Sequence, residues 1–210
     1  MLIHAGDFTN TGELSQVRSV VEWMSQLPHK IKILIAGNHD VTVQQEYYEE
    51  VGRHRFHHKR EDDAEVRRIL RETNALTYLE DEASLVHGYR FYGSPWQPEF
   101  CDWAFNLPRD KTGCVAMWDR IPSDTEILVT HGPCLGHGDL CSHGGRAGCV
   151  DLLDAVTQRI KPLFHIAGHI HEGYGVTTNG TTTFINASTC TGSYKPTHPP
   201  ILFDLPYKEE

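Results

Sequence analysis

Apolar positions along this chain fall into two rhythms that alternate with polar loops. Leu14, Val17, Val20, Val21, Met24 and Leu27 recur three or four apart. That spacing predicts an amphipathic helix over 12–27, its stripe laid on a sheet. Asn10, with Glu13 three residues on, offers a start for it, and Pro28 stands at its end. A second helical pattern covers 63–72 and a third about 149–160. Short apolar runs predict strands at 31–36, 126–130, 163–167 and 181–187, with 201–205 closing the sheet. Leu2 and Ile3 read as the end of another. Between 77 and 92, short β segments alternate with turns such as His87-Gly88, as in antiparallel meanders.

The intervening stretches carry their own signals. Residues 44–60 are polar, with His54, His57 and His58 among Arg and Lys, and predict a solvated helix or loop. Residues 93–110 hold Trp96, Phe100, Trp103, Phe105 and three prolines. They predict an aromatic-packed irregular loop, with a wall for stacking a nucleobase as the functional alternative. A glycine- and His-containing loop spans 132–148. No internal repeat, low-complexity tract or linker interrupts the pattern, so one domain over 1–210 is expected.

Four strand ends share one grammar: an apolar run, a small residue or glycine, then Asp, Asn or His. They are Gly6-Asp7, Gly37-Asn38-His39-Asp40, Thr130-His131-Gly132-Pro133 and Gly168-His169-Ile170-His171-Glu172. With fourteen His in the chain, a lone His-x-His is expected by chance. Four such clusters at strand ends are not, because a sheet gathers them onto one rim. Mixed carboxylate, amide and imidazole donors suit manganese, iron or zinc.

Composition narrows the partners. A net charge of −9 argues against a surface that tracks a nucleic-acid polymer or an anionic membrane. Bound cations reverse the local field, so a small phosphate ester remains open. Neither a membrane-spanning run nor a secretory leader is visible, and a cytoplasmic protein is the expectation. The six Cys lack close paired spacing and read as reduced thiols. A zinc site from Cys134, His137, Cys141 and His143 is the weaker reading of their loop.

The ordered clusters resemble the calcineurin-like metallophosphoesterase superfamily. The stretches Ile3-His4-Ala5-Gly6-Asp7-Phe8-Thr9, Gly93-Ser94-Pro95-Trp96 and Phe105-Asn106-Leu107-Pro108-Arg109 are similar to its small metallophosphoesterase domain-containing subfamily. So are Gly168 to Gly175, Ile185 to Cys190 and Pro199 to Pro206. The resemblance implies an α/β fold, a β-sandwich of two mixed sheets flanked by helices, with two ions at one rim. It implies that Asp7 bridges the ions, that Asn38, His131 and His169 complete one site, and that His171 belongs to the other. By the same resemblance His39 is the general acid, with Asp40 orienting it, and Arg146 contacts phosphate or is a plain loop cation. Trp96 would line the substrate, and Glu172 and Asn186 would support the ligands from behind.

The implied activity is hydrolysis of small phosphodiesters, cyclic nucleotides foremost, by in-line attack of a metal-activated hydroxide. Manganese is the expected ion, with iron, zinc or magnesium as alternatives. The family's Asp-x-His motif, which precedes Gly-Asp, has no counterpart in the six residues before Asp7, and His4 is a poor replacement. The first core strand is then missing, and one or two ions are held. Three readings follow: a piece of a longer active enzyme, which the intact clusters favour, a short form with one ion, or a nucleotide-binding pseudoenzyme. A phosphoprotein phosphatase uses the same donor grammar; a DNA nuclease fits the acidic balance poorly.

Overall fold

The apolar runs become strands that sort into two facing sheets in a computed structural model, which describes residues 1–206 and residue 208. Strands β1 (Leu2–Ala5), β2 (Lys32–Ile35) and β3 (Thr77–Tyr78) form a parallel sheet in that order, with Leu2 opposite Lys32 and Ala5 opposite Ile35. The second sheet draws on β4 (Glu82–Val86) and β5 (Tyr89–Ser94). After a separate two-stranded ribbon of β6 (Gln97–Pro98) and β7 (Asn106–Leu107), it continues with β8 (Ile127–Thr130) and β9 (Phe164–Ala167). Strands β10 (Gly175–Thr178) and β11 (Thr183–Asn186) complete the order β10-β11-β9-β8-β5-β4. It is mixed, because β4–β5 and β10–β11 are antiparallel while the central pairs are parallel.

Alternation along β2 shows why the layers stack as they do. Ile33 and Ile35 point into the space between the sheets, against Phe91, Ile127, Val129 and Ile166. Leu34 points the other way, onto Val17 and Met24 of the helix Leu14–Gln26 and Val66 and Leu70 of the helix Asp63–Glu72. A strand buried on both faces must be apolar at every position, unlike a half-exposed one. Fully burying each such side chain contributes about 1.5–3 kcal/mol. On the far side of the six-stranded sheet, Trp118, Ile121, Leu152 and Val156 form a third apolar layer.

Several expectations need correction. The parallel sheet is not mixed. The helix begins at Leu14, not 12, and Asn10 does not cap it. Its first free N–H, that of Leu14, donates instead to the Glu61 carboxylate at 2.9 Å, a partner 47 residues away that local spacing cannot reveal. The meander predicted across 77–92 is split: β3 joins the first sheet in parallel, and only β4–β5 is a hairpin, turning at His87 (φ 50°) and Gly88 (φ 75°). Residues 44–60 form short helical turns over Gln45–Arg55. The strand predicted at 201–205 is absent. Ile201, Phe203 and Leu205 pack on the inter-sheet core without a ladder, and Phe203 lies 4.5 Å from the Phe164 ring. The sequence reading missed β10, whose Val-Thr-Thr run is exposed. In the three-stranded sheet β1 is an edge strand, and among the described residues no strand pairs on its other side.

His165 on β9 is buried (1% exposed), with Nε2 2.7 Å from the Thr130 hydroxyl and Nδ1 3.5 Å from Cys134 Sγ. Burial, and then the nearby His137, lowers its pKa to about 3. The unfolded chain accepts a proton near pH 6.5 that the native chain refuses, so stability is complete above that value and falls as pH drops. His165 should therefore pull the urea midpoint down as pH drops below 6.5. The wild-type midpoint should fall more steeply below pH 6.5 than that of His165→Asn; equal slopes in the two proteins would contradict the assignment.

Candidate functional site

The rim where β1, β2, β8 and β9 end gathers the four clusters. Asp7 follows β1 in the left-handed region (φ 56°), and His169 follows β9 likewise (φ 65°). Such conformations cost about 1–3 kcal/mol at a non-glycine residue and persist only where packing over-determines them. Two glycines make room. A Cβ on Gly37 would stand 2.4 Å from Asp7 Oδ1 and 2.5 Å from His131 Cε1. One on Gly6 would stand 2.6 Å from both the Ala36 carbonyl oxygen and His131 Nδ1.

Asp40 is wholly buried and holds two of these turns together. Its carboxylate accepts from the backbone N–H of Gly37 (2.8 Å), of Asp7 (2.9 Å) and of Thr9 (2.9 Å), and from the Thr9 hydroxyl (2.7 Å). Burial and the charge of Asp7 push its pKa up, to about 7, against the pull of these donors. The expected role as orienter of the His39 ring is not the contact observed. His39 Nδ1 lies 2.9 Å from the Asn10 carbonyl, an acceptor only, so Nδ1 carries the proton and Nε2 is the exchangeable position. The imidazole sits 4.3 Å from the Trp103 ring, which itself lies 4.4 Å from Phe56. The backbone N–H of His39 donates to Asp7 Oδ1 at 2.9 Å, which ties its position to that carboxylate.

Asp7, Asn38, His131 and His169 converge. Asn38 Oδ1 lies 2.9 Å from His131 Nε2 and 2.8 Å from His169 Nδ1; the two nitrogens are 3.1 Å apart, and Asp7 Oδ2 is 3.3 Å from His131 Nε2. The ring of His131 is fixed from behind, because Nδ1 donates to the Ala5 carbonyl at 2.9 Å. Its Nε2 is thus a lone pair when the ring is neutral, and it faces an amide oxygen and a carboxylate oxygen. Acceptors crowded this way need a cation between them, either a proton or a metal ion. The charges respond accordingly. Burial works against it, but the Asp7 carboxylate raises the pKa of His131, and despite burial the His131 charge holds Asp7 well below the usual carboxylate range. Burial, then His131, lowers His169 to about 3. A set of two imidazoles, an amide and a carboxylate fits a divalent ion, and no other cationic group among the described residues joins these atoms.

The other expected residues stand apart. His171 lies in the turn His171–Gly173, its Nδ1 3.1 Å from the Thr191 carbonyl and its ring edge-on to Tyr194 at 5.2 Å, outside the tight group of Asp7, His131 and His169. Asn186 Nδ2 donates to the Ile170 carbonyl (2.8 Å) and to that of Gly138 (2.7 Å), bracing the turn between the two His from behind. Glu172 accepts from Ser142 N–H at 3.2 Å and braces a loop rather than the converging donors. Arg146 Nη1 is 2.6 Å from buried Asp139, so it neutralises a core carboxylate as a loop cation does. Trp96 is committed too: its Nε1 donates to Asp81 at 2.8 Å and its ring packs edge-on to Phe105. The aromatic wall at this site is Trp103 beside His39, with Phe100 edge-on to His169 at 6.3 Å. No periodicity distinguishes these from the packed aromatics of the same loop, and Trp96, expected to line the substrate, is held by Asp81 instead. His4 lies outside the converging group; burial lowers its pKa to about 4 and its Nδ1 has no partner. The Cys134, His137, Cys141 and His143 zinc reading fails, since His137 stacks on Phe184 at 3.7 Å and Cys134 faces His165. All six cysteines are free thiols.

A calcineurin-like phosphoesterase family profile matches residues 1–173. Metallophosphoesterase domain-containing protein 1 of Homo sapiens is 47% identical over 98% of this chain, and UPF0046 protein C25E10.12 of Caenorhabditis elegans is 38% identical over 98%. The chain spans 64% of the length of the human relative and 73% of the nematode one. Among solved structures, TT1561 of Thermus thermophilus superposes with a TM-score of 0.51 at 15% identity, covering 89% of this chain and 75% of that one. At that identity the likeness speaks for the fold alone. Among the described residues no helix is long and apolar enough to cross a membrane. The profile spans most of the chain and the strand-end clusters lie within it: this protein belongs to the calcineurin-like phosphoesterase family.

Proposed function

We propose that this chain hydrolyses small phosphodiesters, cyclic nucleotides foremost, with a divalent ion held by Asp7, Asn38, His131 and His169. The single observation that supports it most is the crowding of lone pairs at His131 Nε2, beside an anchored His39. Manganese is the preferred ion, since oxygen and imidazole donors without a thiolate suit it. An ion bound there supplies Lewis acidity toward phosphoryl oxygens and lowers the pKa of a water molecule.

The residues contribute the rest. Asp7 places negative charge at the ion while its other oxygen positions the His39 backbone. His39, held through Nδ1 on Asn10, keeps Nε2 as the nitrogen that donates a proton to the departing alcohol oxygen. Trp103 fixes the plane of that imidazole and, with Phe100, offers apolar faces to a base. The net charge of −9 favours a small substrate over a polymer. One ion is the primary reading because His171, the expected second-site donor, lies outside the tight group of Asp7, His131 and His169.

Three outcomes test this. Asn38→Ala should abolish manganese uptake measured by metal analysis of the folded protein, and unchanged metal content would sink the site. Metal entry should expel the proton that Asp7 favours on His131, so titration calorimetry in buffers of different ionisation enthalpy should register proton release. Affinity should accordingly rise with pH, because the competing proton is lost as pH passes the raised pKa of His131. Hydrolysis of 2′,3′-cyclic AMP with manganese should fall about 10²–10⁴-fold in His39→Gln, with metal content retained. Equal turnover in that variant would remove His39 from the chemistry, and no turnover by the metal-loaded wild type would favour a binding role.

A further inference from the structure

Away from the rim, a second group of chemically active atoms is buried behind the six-stranded sheet. Cys114 is fully buried in the turn Lys111–Val115, and Cys149 (1% exposed) begins the helical segment running to Ile160. Their two sulfurs and a carboxylate oxygen of Asp151 all lie within 4.8 Å of one another. Cys149 Sγ accepts from the indole N–H of Trp118 at 3.2 Å and from the backbone N–H of Leu152 at 3.4 Å. Two donors aimed at one sulfur favour its anionic form, as at other helix N-termini. The hydrogen bond from the Cys114 thiol acts in the same direction, lowering Cys149 to about 7 and raising Cys114. The remaining cysteines are committed or remote. Cys134 Sγ faces His165 Nδ1 at 3.5 Å, Cys101 is exposed, and Cys141 and Cys190 do not join the group.

We propose that Cys114 and Cys149 are a redox pair that a hydroperoxide converts to an internal disulfide. The Cys149 thiolate attacks the peroxide oxygen, the O–O bond breaks, and a sulfenic acid forms as hydroxide leaves and is protonated to water. The Cys114 sulfur then attacks Cys149 Sγ. The S–O bond breaks, the S–S bond forms, and the Cys114 proton leaves with the departing hydroxide as a second water, Asp151 being the nearby acceptor that relays it. Two thiols are oxidised and one peroxide is reduced. Asp151 is only half-buried, so the pair is one side chain from solvent. A metal ion is the poorer occupant, since only three donors converge and one sulfur already receives two N–H groups.

The bond has a path to the rim. Cys149 N–H donates to the Pro133 carbonyl at 3.0 Å and its carbonyl accepts from Leu135 at 3.0 Å, so it pairs with the stretch that follows His131. Linking it to the Lys111–Val115 turn tethers that stretch covalently to the packed layer beneath.

The test uses the whole chain, reduced or treated with dilute hydrogen peroxide. Titratable thiols should fall from six to four, and trypsin should release one joined product of residues 112–120 and 147–159, each holding one cysteine. The melting temperature should rise by about 5–15 °C on oxidation and return with dithiothreitol. Cys114→Ser should lose the joined product and the shift, whereas Cys190→Ser should keep both. Six thiols after peroxide, a bond that uses Cys134 instead, or thiols masked only by added zinc and restored by chelator would each overturn the proposal. Because the wild-type peptide product is read directly, a poorly folding variant cannot hide the answer.

Discussion

The site rests on one buried carboxylate whose partners are backbone N–H groups and a hydroxyl. Asp40 takes N–H groups from Gly37, Asp7 and Thr9, and so locks the turn after β1 to the turn after β2. Without it, Asp7 would have no reason to stay in a left-handed conformation, and the His39 backbone would lose its register with the Asp7 side chain. Removing a fully buried acceptor with several donors leaves each of those groups unsatisfied in a low-dielectric interior, which costs about 1–3 kcal/mol apiece. The dependence runs outward from there. The parallel sheet presents the two turns side by side, and the six-stranded sheet brings His131 and His169 against them from the other layer.

Much of this arrangement was legible in the sequence, and the reasons are specific. The apolar run before Asn38 marked a strand, which the structure buries on both faces. The recurrence of Asp, Asn and His after strands pointed to one rim because side-by-side strands end together. Illegible were features set by contacts distant in sequence. Glu61 supplies the helix N-terminus, Asn10 orients His39 through its carbonyl rather than its side chain, and Asp40 serves the backbone and not the imidazole. The aromatic loop was ambiguous for a related reason. Trp96 and Trp103 have equal propensity to pack or to line a site, and Asp81, far from the loop's own sequence pattern, decides between them by taking the indole N–H of Trp96.

The two layers also divide the labour of charge. The rim holds imidazoles and a carboxylate close enough that each alters the protonation of the next. Behind the six-stranded sheet, thiols do the same on a smaller scale, with an indole and a helix N-terminus as the donors. The six-stranded sheet stands between the two groups. They are joined through the backbone that runs from His131 to Cys149.

The glycines under the site carry a consequence for how such proteins tolerate change. A methyl group at Gly6 or Gly37 collides with His131 and its neighbours at under 3 Å, before any question of reactivity arises. In a saturation scan, these two positions would therefore be as intolerant as the polar residues that touch substrate. Intolerance at this rim measures steric clearance as much as chemistry. A map of sensitive positions would draw the outline of the cradle, and only conservative swaps at His39 or Asn38 could separate the groups that act from the groups that merely leave room.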